Sequence, residues 1–154
     1  MGQLRMNIIT WNVNGIRAAL GKNALAWAFE REPDALCLQE VKARPEQLDE
    51  EQAAQLKLLY SWNAAERPGY SGVTTFYKNQ PDEIQLGMQD PEFEVEGRIL
   101  QTRWGNLRLF NIYFPNGQRG QERVNYKLEF YAHLLELCRS LHKKWWEAAH
   151  RLQG

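Results

Sequence analysis

Residues 6–40 read MNIITWNVNGIRAALGKNALAWAFEREPDALCLQE, and much of the fold follows from them. Residues 6–12 alternate in polarity and are rich in β-branched side chains, the pattern of a strand. Asn14 and Gly15 punctuate it. Ile16, Ala19, Leu20, Leu25, Ala28 and Phe29 then recur at helical spacing, with Gly21 dividing a short helix from a longer one. Pro33 and Asp34 stop the helical pattern, and residues 34–39, DALCLQ, form a second strand. This is a βαβ unit whose parallel strands end on polar tips, Trp11-Asn12 and Gln39-Glu40. Ligand sites in open α/β sheets form at the carboxyl ends of strands. Asn12 and Glu40 are therefore the first residues to suspect of chemistry.

The rest of the chain extends an α/β pattern. Residues 45–59 read as one or two short helices on a polar loop, and 60–65 as a strand. Gly69-Tyr70-Ser71-Gly72 is a turn before 73–78, VTTFYK, a strand of β-branched and aromatic residues. Residues 83–88 form another strand and 90–97 an acidic loop. Residues 98–104 and 106–113 flank Gly105-Asn106 as a β-hairpin. After the loop FPNGQR, a helical stripe of Val124, Leu128, Tyr131, Leu135, Cys138, Leu141, Trp145 and Ala149 runs nearly to the end. The expected class is α/β: a mixed sheet with flanking helices, ending in a long helix.

Of 154 residues, 44% are hydrophobic and 25% charged, which suits one globular domain with a real core. The formal net charge is zero but unevenly spread. Residues 1–97 hold 9 Lys/Arg and 15 Asp/Glu, net −6, and residues 98–154 hold 10 and 4, net +6. Such asymmetry fits a basic face that meets phosphate, and equally an unevenly charged solvated surface. No run reaches the ~20 apolar residues of a membrane span, so no membrane partner is expected. Cys37 and Cys138 read as buried free thiols, as in a reducing cytosol, and a cytoplasmic location is expected.

Taken singly, each candidate has a plainer reading. Glu40 suits a hard cation, but also a surface carboxylate ending a strand. Asn12 can orient a ligand or simply shape a turn. Tyr113 can donate to a phosphate oxygen or sit half-buried at a sheet edge. Arg119, Arg123 and Lys127 are spaced i, i+4, i+8, a phosphate-tracking ridge if the helix begins that early, and otherwise a solvated face. Arg17 and Lys22 flank a helix start near the first tip and could also meet phosphate.

Taken together and in order, the motifs are more specific. WN-x-NGIRA, LCLQE-x-K, GYSGV-x-TFYK, EGRIL and NIYFPNG…R-x-x-YKL-x-FY resemble the exonuclease III family of type II abasic-site endonucleases, within the endonuclease/exonuclease/phosphatase superfamily. The resemblance implies a four-layered α/β sandwich, of which residues 6–142 are the N-terminal half. Residues 1–5 are then an extension, and 143–154 a helical tail departing from the pattern. It implies that Glu40 binds Mg²⁺ (or Mn²⁺), that Asn12 sits beside the metal and the scissile phosphate, and that Tyr113 hydrogen-bonds that phosphate. Arg98, Asn116, Arg119, Arg123 and Lys127, with Arg17, Tyr70 and Ser71, are carried over as supporting or DNA-contacting positions. The implied activity is metal-dependent hydrolysis of DNA phosphodiesters, by abasic-site incision and 3′→5′ digestion. The implied partner is double-stranded DNA with abasic sites or 3′ ends.

The family's other half supplies a Gly-Asp-x-Asn strand end and a terminal Asp-His pair. Here the last aspartate is Asp90, and His133, His142 and His150 all fall in the terminal helical stretch. The chain alone is therefore expected to be inactive, and self-association or pairing through an exposed sheet face is expected. Two other readings stand beside this one. One is a catalytically silent half-domain that binds DNA or protein. The other is a phosphoesterase of another superfamily branch, against which the Tyr113–Asn116 and Tyr126–Tyr131 motifs argue.

Overall fold

A computed structural model describes residues 5–151. The expected N-terminal extension (all but Arg5) and residues 152–154 of the tail lie outside the described residues. The chain divides after Tyr113 into two compact units.

The first unit is a sandwich of two sheets. Strands β1 (Ile8–Asn12) and β2 (Ala35–Gln39) pair in parallel, with Asn12 opposite Gln39. Between them lie helices α1 (Ile16–Gly21) and α2 (Ala26–Glu30), the βαβ unit expected from the pattern. A 3-10 turn (Pro45–Gln47) and helix α3 (Glu50–Ala54) lead to β3 (Leu59–Asn63) and β4 (Val73–Tyr77). The sheet order is β1-β2-β4-β3, with β4 antiparallel to both neighbours. A second, antiparallel sheet holds β5 (Glu83–Leu86), β6 (Ile99–Trp104) and β7 (Leu107–Ile112). Gly105, at positive φ, starts the β6–β7 turn, as such hairpins require.

Two-sided burial explains the apolar character of β2 and β4. Leu36, Leu38 and Phe76 face the helices and join Ile16, Leu20, Leu25 and Phe29 in the core. Each such side chain contributes about 1.5–3 kcal/mol when fully buried. The other face meets the second sheet, with β2 and β4 against β7 and β6. Asn111 of β7 crosses that interface. Its Nδ2 donates to the Thr74 carbonyl at 2.8 Å and to Thr75 Oγ1 at 3.1 Å, while its Oδ1 accepts from Gln39 Nε2 at 2.8 Å. The sheets cover each other at β2 and β4, but the corresponding face of β1 stays open, with Ile8, Thr10 and Asn12 exposed. The acidic loop is also revised. Pro91–Glu94 is a short helix, α4, with Asp90 accepting from the Glu92 N–H. Proline at the first helical position and an aspartate cap explain that start.

The second unit, from Phe114, is dominated by α5 (Gln121–Arg151), of 31 residues. Gly120, at φ +99°, marks the boundary, and its carbonyl accepts from the N–H groups of Arg123 and Val124. Phe130 is buried among the rings of Phe114, Tyr126 and Tyr131. Leu128, Leu135, Trp145 and Trp146 are exposed. Cys37 is buried as expected, but Cys138 is exposed, because the apolar stripe of α5 is largely uncovered. Among the described residues no helix is long and apolar enough to cross a membrane.

Candidate active site

The two strand tips meet because three loops are stitched together at the carboxyl end of the first sheet. Gly15 N–H donates to the Glu40 carbonyl at 2.7 Å and Ile16 N–H to Val41 at 3.0 Å. Val41 and Lys42 donate in turn to the carbonyls of Gly72 and Ser71, at 3.1 and 2.9 Å. These bonds hold four non-glycine residues at left-handed φ: Asn14 (47°), Glu40 (51°), Lys42 (54°) and Ser71 (49°). Each costs on the order of 1–3 kcal/mol and persists only where its surroundings over-determine it. Gly72, at φ +87°, is required for a second reason: a Cβ there would lie 2.8 Å from Val41 Cγ2.

The side chains converge on Glu40. Asn12 Nδ2 donates to Glu40 Oε1 at 2.8 Å, and Asn12 Oδ1 accepts from the Asn14 N–H at 3.1 Å. The second carboxylate oxygen lies 3.4 Å from Lys42 Nζ, which also donates to Asn14 Oδ1 at 2.6 Å. The Tyr113 phenol stands beside the same carboxylate and helps to lower it. Burial alone would raise the Glu40 carboxyl. The hydrogen bonds from Asn12, Tyr113 and Lys42, together with the Lys42 charge, outweigh it and hold the group below the usual carboxylate range. Burial and the adjacent Glu40 charge push the Tyr113 phenol up, so it remains a donor. The cluster is therefore an ionised carboxylate with an amide, a phenol and one ammonium around it.

Behind Tyr113 stands Arg98. Its Nε donates to Glu96 at 2.9 Å, its Nη1 to the Tyr113 carbonyl at 3.1 Å and its Nη2 to the Tyr70 hydroxyl at 2.9 Å. The guanidinium also lies 4.8 Å from the Tyr113 ring centroid, and the side chain is only 4% exposed. A buried guanidinium spent on protein acceptors fits a supporting place, not contact with DNA. Ser71 is likewise buried, and its hydroxyl has no partner among the described residues. Tyr70 is half-buried and bonded to both Arg98 and Glu96. Arg17 is exposed on α1, its carbonyl accepting from Gln52.

Asn116, Arg119, Arg123 and Lys127 belong to the second unit. The Asn116 side chain accepts from the Gln118 N–H. The three-cation ridge required a helix start before Arg119; α5 begins after Gly120, so Arg119 lies in the loop and Arg123 and Lys127 share the helix face. Both are packed on aromatic rings of the same helix, Arg123 on Tyr126 and Lys127 on Tyr131.

Lys42, Asn14, Glu96 and Asn111 were not among the expected site residues. Lys42 had a signal in the LCLQE-x-K spacing. Asn111 had one as an asparagine in an otherwise apolar strand.

Residues 9–144 match the endonuclease/exonuclease/phosphatase family. The chain belongs to that family. It is 34% identical over 140 residues to an exodeoxyribonuclease of Bacillus subtilis (strain 168), covering 90% of this chain and 54% of that protein. It is 34% identical over 138 residues to the DNA repair nuclease APEX1 of Danio rerio, covering 86% of this chain and 44% of that one. Among solved structures, an AP endonuclease from Archaeoglobus fulgidus superposes with a TM-score of 0.74 at 25% identity, over 88% of this chain and 52% of that one. The chain thus spans about half the length of the relatives it matches. The strands of both sheets from residue 9, the long helix up to residue 144 and the Glu40 cluster lie within the part that matches the family.

Proposed function

We propose that the Glu40 cluster is the metal- and phosphate-binding wall of an exonuclease III-type DNA nuclease. The observation that carries this reading is Glu40 itself. It is an ionised, partly exposed carboxylate at a parallel strand end, fixed by Asn12 and Tyr113 and faced by a single ammonium. The donor set fits a hard divalent ion. Glu40 would supply its carboxylate oxygens, held by Asn12 Nδ2 while Asn12 Oδ1 takes the Asn14 N–H, and among the described residues no three His, Cys, Asp or Glu side chains converge. Mg²⁺ (or Mn²⁺) suits such a set, because it needs one or two carboxylates and keeps waters for the rest. Bound there, the ion supplies Lewis acidity toward a phosphoryl oxygen.

The protein's own groups do the remaining work. The Tyr113 hydroxyl, kept protonated, donates to a non-bridging phosphate oxygen. Asn12 holds the carboxylate in orientation. Lys42 lies close enough to Glu40 to share its field with a bound phosphate. Arg98 fixes Tyr113 from behind through its carbonyl and its ring. No group in this cluster is placed to take the proton of an attacking water, so the chain alone cleaves little or not at all. The substrate class is duplex DNA with abasic sites or 3′ ends, and the setting cytoplasmic. Self-association would draw on the open face of β1 and on the exposed side chains of α5, which sedimentation of the purified chain tests.

Incubating this chain with abasic duplex DNA and Mg²⁺, alone and mixed with the C-terminal half of a relative, tests the reading. Incision only in the mixture, lost in Glu40→Gln, is expected. Incision in the mixture that survives Glu40→Gln would overturn it. The second reading, a silent DNA-binding half-domain, is favoured by the lack of a water-activating group in the cluster. DNA binding without any cleavage in the mixture would establish it.

A further inference from the structure

The loops beside Tyr70 bring two arginines into one small concavity. Arg44 precedes the 3-10 turn, its backbone N–H held by Gln47 Oε1 at 2.8 Å. Its Nη2 donates to the Ala65 carbonyl at 3.3 Å, which swings the guanidinium toward the neighbouring loop. Arg67 follows on that loop, its guanidinium carbon 5.2 Å from the Tyr70 ring centroid. Between them lies a concavity of about 60 Å³, lined by Ala43, Gln47, Ala65 and Tyr70 with the two arginines.

The charge there is unbalanced. Arg98, Arg103 and Arg108 each pair with a carboxylate, at 2.9, 3.2 and 2.9 Å. Among the described residues neither Arg44 nor Arg67 has an ion pair. Two like charges converging without a counter-ion repel, and an anion between them removes that cost. Arg44 spends one donor on Ala65 and Arg67 rests on a ring face, so most of their donors stay available. Two planar forks from separate loops suit a tetrahedral oxyanion, which offers each a pair of oxygens. A water needs roughly 10–15 Å³ by the same measure. The concavity therefore holds a few waters or one phosphate group, and no nucleobase.

We propose that Arg44 and Arg67 form a subsite for one phosphate of a nucleic-acid backbone, beside the Glu40 site; the nucleic-acid part of this rests on the function proposed above. Tyr70 joins the two places. Its ring carries Arg67, and its hydroxyl bonds to Arg98, which in turn holds Tyr113 against Glu40. A strand bound at Glu40 would lay a neighbouring phosphate along the same wall. Such a contact positions the backbone and carries no sequence preference.

Two arms test the subsite. In the first, inorganic phosphate is titrated into the chain while the arginine Nε–H signals are followed by NMR. Shifts at Arg44 and Arg67, absent from the Arg44→Gln/Arg67→Gln double variant, are expected. In the second, duplex DNA binding is measured by anisotropy across salt concentrations, without divalent metal. The double variant should weaken binding several-fold for any sequence and lower the log–log salt slope by about 0.9, the value of one phosphate contact. Both positions are exposed, so unchanged thermal unfolding is the folding control. No phosphate shift at either arginine and an unchanged slope would overturn the subsite. Phosphate shifts without any duplex binding would uphold the anion site and sink the nucleic-acid reading. Duplex binding that ignores the double variant would sink the subsite and leave that reading standing.

Discussion

Two carboxylates at strand ends of the sandwich make opposite use of the same chemistry. Glu83, on β5, is gripped by Arg103 at 3.2 Å and Arg108 at 2.9 Å, and its side chain is 44% exposed. Glu40, beyond β2, is 22% exposed and faces one ammonium at 3.4 Å, its other partners being an amide and a phenol. Both carboxyls are held below their ordinary value. At Glu83 the cause is the bonds to Arg108 and Arg103. At Glu40, burial works in the other direction and is outweighed by neutral donors and Lys42. Glu83 is thus already neutralised, in surface pairs worth about 0–1 kcal/mol. Glu40 has one ammonium against it rather than two guanidinium groups, in a backbone that is strained to hold it. Ion pairing does not separate the two carboxylates; the uncharged donors around Glu40 do.

The largest expected difference between the two ends lies in their glycines. Gly72 sits beneath the Glu40 turn at φ +87°, with Val41 in the way of a Cβ; Gly105 turns the hairpin beside Arg103 at φ +57°, in open space. Gly72→Ala should cost about 2–4 kcal/mol, from left-handed strain plus overpacking. Gly105→Ala should cost about 1 kcal/mol, from the strain alone. Urea unfolding measures both. Equal costs would show that the Glu40 turn is no tighter than an ordinary hairpin.

Next in size is metal affinity. Glu40→Gln should weaken Mn²⁺ binding by about 100-fold or more, since even residues that only orient a ligand are worth 10- to 100-fold. Asn12→Ala should weaken it by about tenfold on the same scale. Glu83→Gln should leave it unchanged, because two guanidinium groups already occupy that carboxylate. Calorimetric titration reads all three. A comparable loss in Glu83→Gln would erase the distinction between the two ends.

Much of this was legible in the sequence, for physical reasons that also explain what was not. Asn12 and Glu40 stood out because period-2 and period-3.6 patterns place strand ends well, and both are where the βαβ reading put them. The position of Arg98 was legible; its direction was not, because burial against Glu96, Tyr70 and Tyr113 joins residues up to 28 positions apart. Ser71 reads as a turn residue, and its burial was not legible: it sits at positive φ with its carbonyl accepting from Lys42. Whether Arg119 joins Arg123 and Lys127 on the helix stays open in the sequence, because charge spacing says nothing about where a glycine will end a loop. Cys138 lies on an apolar stripe, and a stripe shows which face is apolar, not whether anything covers it.

The smallest effect is the acid limb of stability, and it bears on the same pair. The ordinary carboxyl value is 4.5 for both residues, and folding lowers each. The unfolded chain therefore binds more protons than the folded one near and below that value, so stability rises with pH there. The contribution is fully present above pH 4.5 and is lost as pH falls through the folded-state value. Gln at either position removes that slope. Glu83 is well exposed, so solvent screening limits its share to about 0.5 kcal/mol or less. Glu40 is more enclosed, and its donors lose their acceptor charge when it protonates. Thermal unfolding between pH 3 and 7 should therefore show a flatter limb in Glu40→Gln than in Glu83→Gln, with Tyr113→Phe between Glu40→Gln and the unsubstituted chain. A Glu83→Gln limb as flat as that of Glu40→Gln would mean that two partly buried arginines hold a carboxylate as firmly as the strained turn does.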